Sequence, residues 1–445
     1  MLIRSISGVR GLTVSHFTTD IVIRYANALH QLLPPGVIIA GRDTRISGGE
    51  IIQVIIDELT RLGRTIIDCG IVPTPTVQFM VHKTDAVGGF IVTASHNPVE
   101  WNGLKFVGSD STFFSAEDCK KLFDLFDKGN RQSDSKEKGI VWPEKNAIQK
   151  HVIACAGLKC INFNRIQRKK FKIVIDAVNG AGSYALPIML ESLGCKVIEL
   201  NCEPNGHFSR GTEPLPEHLT DLCNAVIENN ADGGFAVDPD ADRLAIVDEN
   251  GEPLGEEYSL VIAADGYLNE IDQTEVLVTN LSTSLALDKL AESKGSFVNR
   301  SAVGEINVVN KMNELGSKLG GEGNGGVILR EAHLGRDSLV AASMILNRMS
   351  QSNQPLSVIH QSLPQFQIVK DKVNLDGIDK DKLIEKVTNL FDNAEKNTLD
   401  GIKFSWADRW VHLRKSNTEP IMRIYSEAPN KDGAQNLIQQ IKSCI

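Results

Sequence analysis

Lys172-Ile173-Val174-Ile175-Asp176-Ala177-Val178-Asn179-Gly180-Ala181-Gly182 is the stretch on which the fold turns. Its β-branched start reads as a strand buried in a sheet. The strand ends in a small, glycine-bearing turn, and residues 185–193 continue with a helix-like pattern. The same order recurs on either side. Val37-Ile38-Ile39-Ala40 ends at Gly41, and a helical pattern runs from about Glu50 to Arg61. Residues 274–279 end at Asn280, and residues 284–291 read as helix. Strand, small polar turn and helix form the unit of a doubly wound α/β sheet. Three such passages imply three α/β domains related by topology, since no strict residue repeat joins them.

The rest of the 445 residues fits that frame. The length suggests roughly three or four domains, enough to bury several cores without disulfides. Lys and Arg number 47 against 56 Asp and Glu, so the balance is 47 − 56 = −9. That argues against nucleic-acid binding, whose footprint is basic. It leaves room for a local cationic pocket. No run reaches the ~20 apolar residues of a membrane span. The N-terminus lacks the apolar core of a secretory signal. The eight cysteines form no Cys-x-x-Cys pair. A cytoplasmic protein with reduced thiols is expected.

Boundaries follow composition. Residues 128–146 are polar and read as a linker or surface excursion, and 248–253 as a turn. After residues 351–355 the pattern changes. Residues 366–375 alternate like a strand, a polar helix is expected over about 379–396, and 401–410 and 421–426 read as strands. The expected domains are 1–150, 151–250 and 251–365, all α/β, and a smaller α+β unit over 366–445.

Four polar clusters need explaining. Thr93-Ala94-Ser95-His96-Asn97-Pro98 follows the apolar strand Gly88-Gly89-Phe90-Ile91-Val92. A serine at a strand exit sits where α/β proteins place ligands, and it can carry a phosphoryl group. Lys105 follows nearby as a cation for phosphate or a proton donor. Asp238-Pro239-Asp240-Ala241-Asp242-Arg243 is the second cluster. Three carboxylates at i, i+2 and i+4 coexist cheaply only around positive charge. That donor set suits Mg²⁺ or Ca²⁺. A calcium-binding EF-hand does not fit, because Arg243 stands where its loop requires glycine. Gly320-Gly321-Glu322-Gly323-Asn324-Gly325-Gly326 is the third, a weak nucleotide signal lacking the lysine of a P-loop. Its glycines let backbone approach a ligand, and Glu322 and Asn324 could read hydroxyls. The fourth, Arg414-Lys415-Ser416-Asn417-Thr418-Glu419-Pro420, gathers cations, hydroxyls and an amide into a compact anion cradle. Ser7–Gly11 and Gly41-Arg42-Asp43-Thr44-Arg45 each set arginine in a turn beside glycine; alone, each is a weak signal.

Taken in order, these segments resemble the four signature loops of the α-D-phosphohexomutase family, over nearly the whole chain. The glycine loop is similar to the archaeal-type form. The resemblance implies three related mixed-sheet α/β domains and a smaller C-terminal α+β domain around a central cleft. It implies an isomerase that interconverts hexose 6-phosphates and hexose 1-phosphates, through a hexose 1,6-bisphosphate that also serves as activator. By the resemblance Ser95 is the phosphoserine, and Asp238, Asp240 and Asp242 hold Mg²⁺ with a Ser95 phosphate oxygen. Arg10, Lys105 and Arg243 would stabilise the transferring phosphoryl group. Glu322 and Asn324 would read sugar hydroxyls, while Arg414, Ser416, Asn417 and Thr418 would hold the other phosphate. Glucosamine phosphate is the expected sugar, with glucose or mannose phosphate as the alternative. Partners are small hexose phosphates, with neither nucleic acid nor membrane, and the protein is a monomer or homodimer.

Two departures from the family stand out. Gly326 replaces the histidine that many members use in proton transfer, so Lys105 or His96 becomes the acid/base candidate. Ser338 stands where the family usually has glycine, with little consequence expected. Remote alternatives are an aspartyl phosphatase acting through Asp238 and a non-catalytic sugar-phosphate binder.

Overall fold

The computed structural model describes residues 2–271, 273–375, 379–415 and 421–444. The chain forms two compact units, Met1–Ile271 with Asn324–His360, and Asp272–Gly323 with Gln361–Ile445.

In the first unit, seven strands make one mixed sheet: β1 (Ile3–Ser5), β2 (Gly8–Leu12), β3 (Ile38–Arg42), β4 (Ile66–Ile71), β5 (Gly88–Val92), β6 (Trp101–Gly108) and β7 (Val141–Pro143). Their order is β1-β2-β6-β5-β3-β4-β7. β3 runs parallel to β4 and β5, while β6 is antiparallel to β5 and β2. Strand β5 is buried throughout, as a strand covered on both faces must be. Helices Thr19–Leu32 and Gly48–Arg61 bury Tyr25, Leu29, Ile55 and Leu59 against Ile38, Phe90 and Phe106.

The second sheet repeats the central pattern with β8 (Lys172–Asp176), β9 (Lys196–Leu200), β10 (Gly233–Val237) and β11 (Leu244–Val247). Its order β11-β10-β8-β9 matches β6-β5-β3-β4, with the same parallel core and antiparallel edge. In both sheets a loop leaves the C-terminal end of the equivalent strand, β5 at Val92 and β10 at Val237. That is where open α/β sheets place ligands. Helix Glu257–Leu268 is buried from Tyr258 onward and packs on helix Ser338–Gln351. An all-round apolar helix has to be central. It lies in the first unit.

In the second unit, β12 (Val276–Asn280) lies parallel to β13 (Phe297–Ser301) and β14 (Leu319–Glu322), again with the first strand in the middle. β15 (Gly326–Leu329) falls in the first unit. A five-stranded antiparallel sheet follows, ordered β16-β20-β19-β18-β17, from β16 (Gln367–Asn374), β17 (Glu395–Asn397), β18 (Ile402–Ser405), β19 (Trp410–Lys415) and β20 (Ile421–Ala428). Trp410 Nε1 and the Leu285 amide both donate to Glu427, and Lys403 Nζ donates to the Leu281 carbonyl. These buried bonds join the antiparallel sheet to the turn after β12.

Four local expectations need correction. The expected strand 401–410 is two strands, because Trp406–Arg409 turns the chain through a backbone bond. The polar helix expected to reach 396 stops at Leu390, and Glu395–Asn397 pairs as an edge strand instead. Residues 128–146 are not only linker, since Val141–Pro143 adds a parallel edge to the first sheet. Helix Gly182–Ser192 begins earlier than read, directly on the glycine turn.

His412 carries a pH-dependent share of stability. Its Nδ1 faces Ser282 Oγ and its Nε2 donates to the Asp400 carbonyl. Burial pulls its imidazole down from 6.5 to about 4. The unfolded ring takes a proton below about 6.5, the folded ring only near 4, so stability falls as pH drops through that window. His412→Gln is expected to flatten the slope of melting temperature between pH 6.5 and pH 4. Parallel slopes in wild type and variant would show that His412 contributes nothing to it.

Candidate functional site

Arg45 organises the loop after β5. It is fully buried, among the largest side chains with no exposure. Its Nε donates to Asp43 Oδ2 at 3.0 Å. One terminal nitrogen donates to the carbonyls of Pro98 and Trp101, the other to those of Ser95 and Asn97. All five N–H donors of the guanidinium are thus used, four of them on the Ser95 loop. Asp43 also accepts Thr93 Oγ1 at 2.6 Å, and Thr93 Oγ1 in turn accepts the Ser95 amide at 2.9 Å. Ser95 is held with φ +52°, a left-handed conformation that a non-glycine residue adopts only when its surroundings impose it.

Arg10 and Lys105 reach the same face through sheet register. Arg10 on β2 pairs with Gly103 on β6, and Lys105 lies two residues on, pointing the same way. Gly103 is required there, because a Cβ would lie 2.5 Å from the Val9 carbonyl and 2.7 Å from that of Thr93. Arg10 donates to Asn97 Oδ1 at 2.9 Å.

The loop after β10 brings Asp238, Asp240 and Asp242 together with no exposure. One carboxylate oxygen from each lies within 4.8 Å of the others. Asp238 Oδ2, Asp240 Oδ1 and Asp242 Oδ1 are buried and have no hydrogen-bond partner. Burying unpaired carboxylate oxygens is expensive, so the orphaned trio fits a cation. Three hard oxygens suit Mg²⁺, which leaves further positions for other ligands. The remaining oxygens are anchored. Asp240 Oδ2 accepts Thr74 Oγ1 and Lys105 Nζ, both within 2.7 Å, and Asp242 Oδ2 accepts Arg336 at 2.8 Å. Burial and the two neighbouring aspartates push the Asp238 carboxyl well above the usual range, and a divalent cation among the three would favour its charged form.

The two acid/base candidates differ in environment. Burial pulls the Lys105 ammonium down, but Asp240 and Asp242 outweigh it and hold it above its ordinary value. Lys105 is thus a fixed cation on the aspartate loop. His96 is held well below 6.5 by burial and by Arg243 and Arg10. Arg243 donates to His96 Nδ1 at 3.2 Å, which leaves the ring proton on Nε2. Arg243 also donates to Glu213 at 3.0 Å and approaches Asp238 and Asp242 at 3.8 and 3.7 Å. It therefore links the serine loop to the aspartate loop.

Asn324, in the first unit, has a side-chain oxygen without a partner. In the second unit Glu322 is buried, and one oxygen accepts Asn280 Nδ2 at 2.7 Å and the Gly304 amide at 3.0 Å. Arg414, also there, pairs with Asp400 at 2.9 Å. Ser416, Asn417 and Thr418 lie outside the described residues.

Several contributing residues were missed or undervalued in the sequence. Arg45 and Asp43 read only as a weak glycine-flanked turn. Thr74, Glu213 and Asn280 carried no motif and act through contacts distant in sequence, and Arg336 stood out only as part of the Arg336-Asp337-Ser338 segment. Ser338 was expected to matter little, but its Oγ donates to the Ala241 carbonyl at 2.7 Å, and Ala241 has φ +52°. The hydroxyl that glycine lacks secures the strained residue of the aspartate loop.

Comparison with known proteins agrees along the whole chain. Residues 2–133, 150–251 and 255–366 match the α/β/α domains I, II and III of phosphoglucomutase/phosphomannomutase, and 369–443 match its C-terminal domain. A phosphoglucomutase/phosphomannomutase of Thermococcus kodakarensis is 34% identical over 97% of this chain and 96% of its own. A probable phosphoglucosamine mutase of Methanopyrus kandleri is 32% identical over 99% and 97%. A phosphoglucomutase/phosphomannomutase family protein from Burkholderia thailandensis superposes with TM-score 0.85 at 23% identity, covering 99% of this chain and 97% of its own.

Arg45→Lys keeps a cation beside Asp43 but cannot reach four carbonyls. It is expected to cost about 3 kcal/mol in chemical unfolding, the scale of a broken buried ion network; wild-type stability would show that the loop holds itself. Asp240→Asn removes one charge from the orphaned trio. It is expected to weaken Mg²⁺ binding by calorimetry at least tenfold, and an unchanged titration would place the metal elsewhere.

Proposed function

The chain belongs to the phosphoglucomutase/phosphomannomutase family and is a phosphohexomutase, an isomerase, and we propose that it acts on glucosamine phosphate through a phosphoserine at Ser95. The observation that carries the mechanism is the orphaned trio of Asp238, Asp240 and Asp242 oxygens, tied by Arg243 to the Ser95 loop. Mg²⁺ bound there would neutralise charge that gathers on a transferring phosphoryl group.

In this reading the phosphoryl group leaves Ser95 Oγ as a sugar hydroxyl attacks: one P–O bond breaks, another forms, and the hydroxyl proton passes through a base to the freed Ser95 oxygen. The resulting hexose 1,6-bisphosphate reorients, and Ser95 Oγ takes back the other phosphate. The work is positioning and charge stabilisation, as phosphoryl transfer demands. Arg10 and Arg243 would meet the phosphoryl oxygens, with Lys105 a fixed positive charge beside them. Glu322 and Asn324 would read sugar hydroxyls. Arg414, with Ser416, Asn417 and Thr418, would hold the phosphate that is not reacting, and its present partner Asp400 would yield to that dianion.

Glucosamine phosphate is favoured by the archaeal-type loop Gly321–Gly326 and by the name of the Methanopyrus kandleri relative. The Thermococcus kodakarensis relative's name supports the second reading, glucose and mannose phosphates. Among the described residues no helix is long and apolar enough to cross a membrane. All eight cysteines are unpaired thiols, which suits a cytoplasmic setting.

Peptide mass spectrometry is expected to find phosphate on Ser95, discharged fastest by glucosamine 6-phosphate with Mg²⁺. Faster discharge by glucose or mannose 6-phosphate would transfer the assignment to the second reading. Ser95→Ala is expected to abolish turnover while retaining sugar-phosphate binding. Normal turnover in that variant, or a hydroxylamine-labile phosphoenzyme on Asp238, would overturn the phosphoserine.

A further inference from the structure

We infer that Arg336 takes the place of the side chain that position 326 lacks and acts as a positioning residue for the metal loop. Gly326 is not needed for its backbone, since its φ lies outside the left-handed range. It is needed for space. A Cβ there would lie 2.2 Å from Arg336 Cδ and 2.8 Å from Arg336 Cγ. These are mid-chain atoms of a buried side chain, so no movement of a free end relieves the clash. The arginine stem therefore fills the volume beside position 326.

The far end of Arg336 reaches Asp242. Its guanidinium donates to Oδ2 at 2.8 Å, while Oδ1 of the same carboxylate is one of the three orphaned oxygens. Holding one oxygen fixes the rotation of the carboxyl group and so the aim of the other. Lys105 also contacts Oδ2, at the longer distance of 3.2 Å. A guanidinium does not give up its proton in proteins. Arg336 thus supplies fixed charge and orientation and does not restore the proton transfer lost with histidine.

The residues after Arg336 make it a rigid mount. Asp337 Oδ1 caps helix Ser338–Gln351 through the Leu339 and Val340 amides. Its Oδ2 contacts Nε2 of His151 at 2.8 Å and of His333 at 3.0 Å, all three residues buried. Ser338 Oγ holds the Ala241 carbonyl. Arg336 and Ser338 thus grip the Asp238–Asp242 loop, one by a side chain and one by its backbone, and Asp337 between them is anchored on a buried histidine pair. With a side chain at 326, Arg336 could not occupy its present position.

The inference rests on reading Asp238, Asp240 and Asp242 as a Mg²⁺ site, and not on which sugar reacts. Mg²⁺ titration by calorimetry without sugar tests it, on wild type, Gly326→Ala, Arg336→Ala, Arg336→Met and the Gly326→Ala/Arg336→Ala double variant. Each single variant is expected to weaken Mg²⁺ binding roughly tenfold to a hundredfold, the usual effect of losing an outer-shell partner. The double variant should bind no more weakly than Arg336→Ala alone, because the clash is gone. Arg336→Met keeps the apolar stem, so its melting temperature should stay near wild type while Mg²⁺ binding falls. Turnover should fall with KM for the sugar phosphate unchanged. Wild-type Mg²⁺ affinity in Gly326→Ala or Arg336→Met would overturn the role of Arg336. So would a Gly326→Ala penalty that persists undiminished in the Arg336→Ala background. A wild-type protein that binds no Mg²⁺ would instead remove the metal site itself.

Discussion

The guanidinium of Arg45 is the constraint on which the Ser95 loop depends. A charge that size buried without partners would cost several kcal/mol. Here every N–H donor is matched, one to Asp43 and four to loop carbonyls. The loop gains in turn an interior that replaces the hydrogen bonds a short irregular segment cannot make with itself. Thr93 and Asp43 extend the same network to the Ser95 amide. The left-handed backbone at Ser95 is then a consequence of that cage. The position of Ser95 is set by a residue some fifty positions earlier in the chain, in the turn that follows the neighbouring strand β3.

Around this loop the first unit sets carboxylates with unpartnered oxygens against fixed positive charge. Three aspartates give one orphaned oxygen each, and Lys105, Arg243 and Arg336 neutralise the outer side. A cation could enter without rearranging the carboxylates. Catalysis that works by charge stabilisation needs this kind of preorganised surround, since polar groups then need not reorient during the reaction. The cost appears as strain, in left-handed backbone at Ser95 and Ala241, and it is offset by the Arg45 cage and by Ser338.

The repeated sheet order explains why two of these loops are equivalent. The serine loop leaves β5 of the first sheet and the aspartate loop leaves β10 of the second, strands that hold the same place in the shared order. The alternation of buried runs and glycine turns made those strands legible, because a strand covered on both faces has little choice but to be apolar. The C-terminal sheet was harder to read. The turn at 406–409 and the three-residue, exposed edge strand at 395–397 left no distinct pattern. Helix Glu257–Leu268 shows the opposite limit. Its apolar composition fits its burial, but nothing local says against which neighbour.

The sequence by itself determined the class of fold, the strand-exit position of Ser95, the aspartate trio and the glycine loop. Each is a local pattern whose chemistry follows from residue type and spacing. Only the tertiary structure decided that Arg45 is a buried cage, that Lys105 is a held cation, that His96 carries its proton on Nε2, and that Arg336 occupies the space beside Gly326. The reason is physical. Burial and partnership of a charge are set by groups far away along the chain. An arginine in a surface turn and one at the centre of a site look alike until the sheet brings their partners to them.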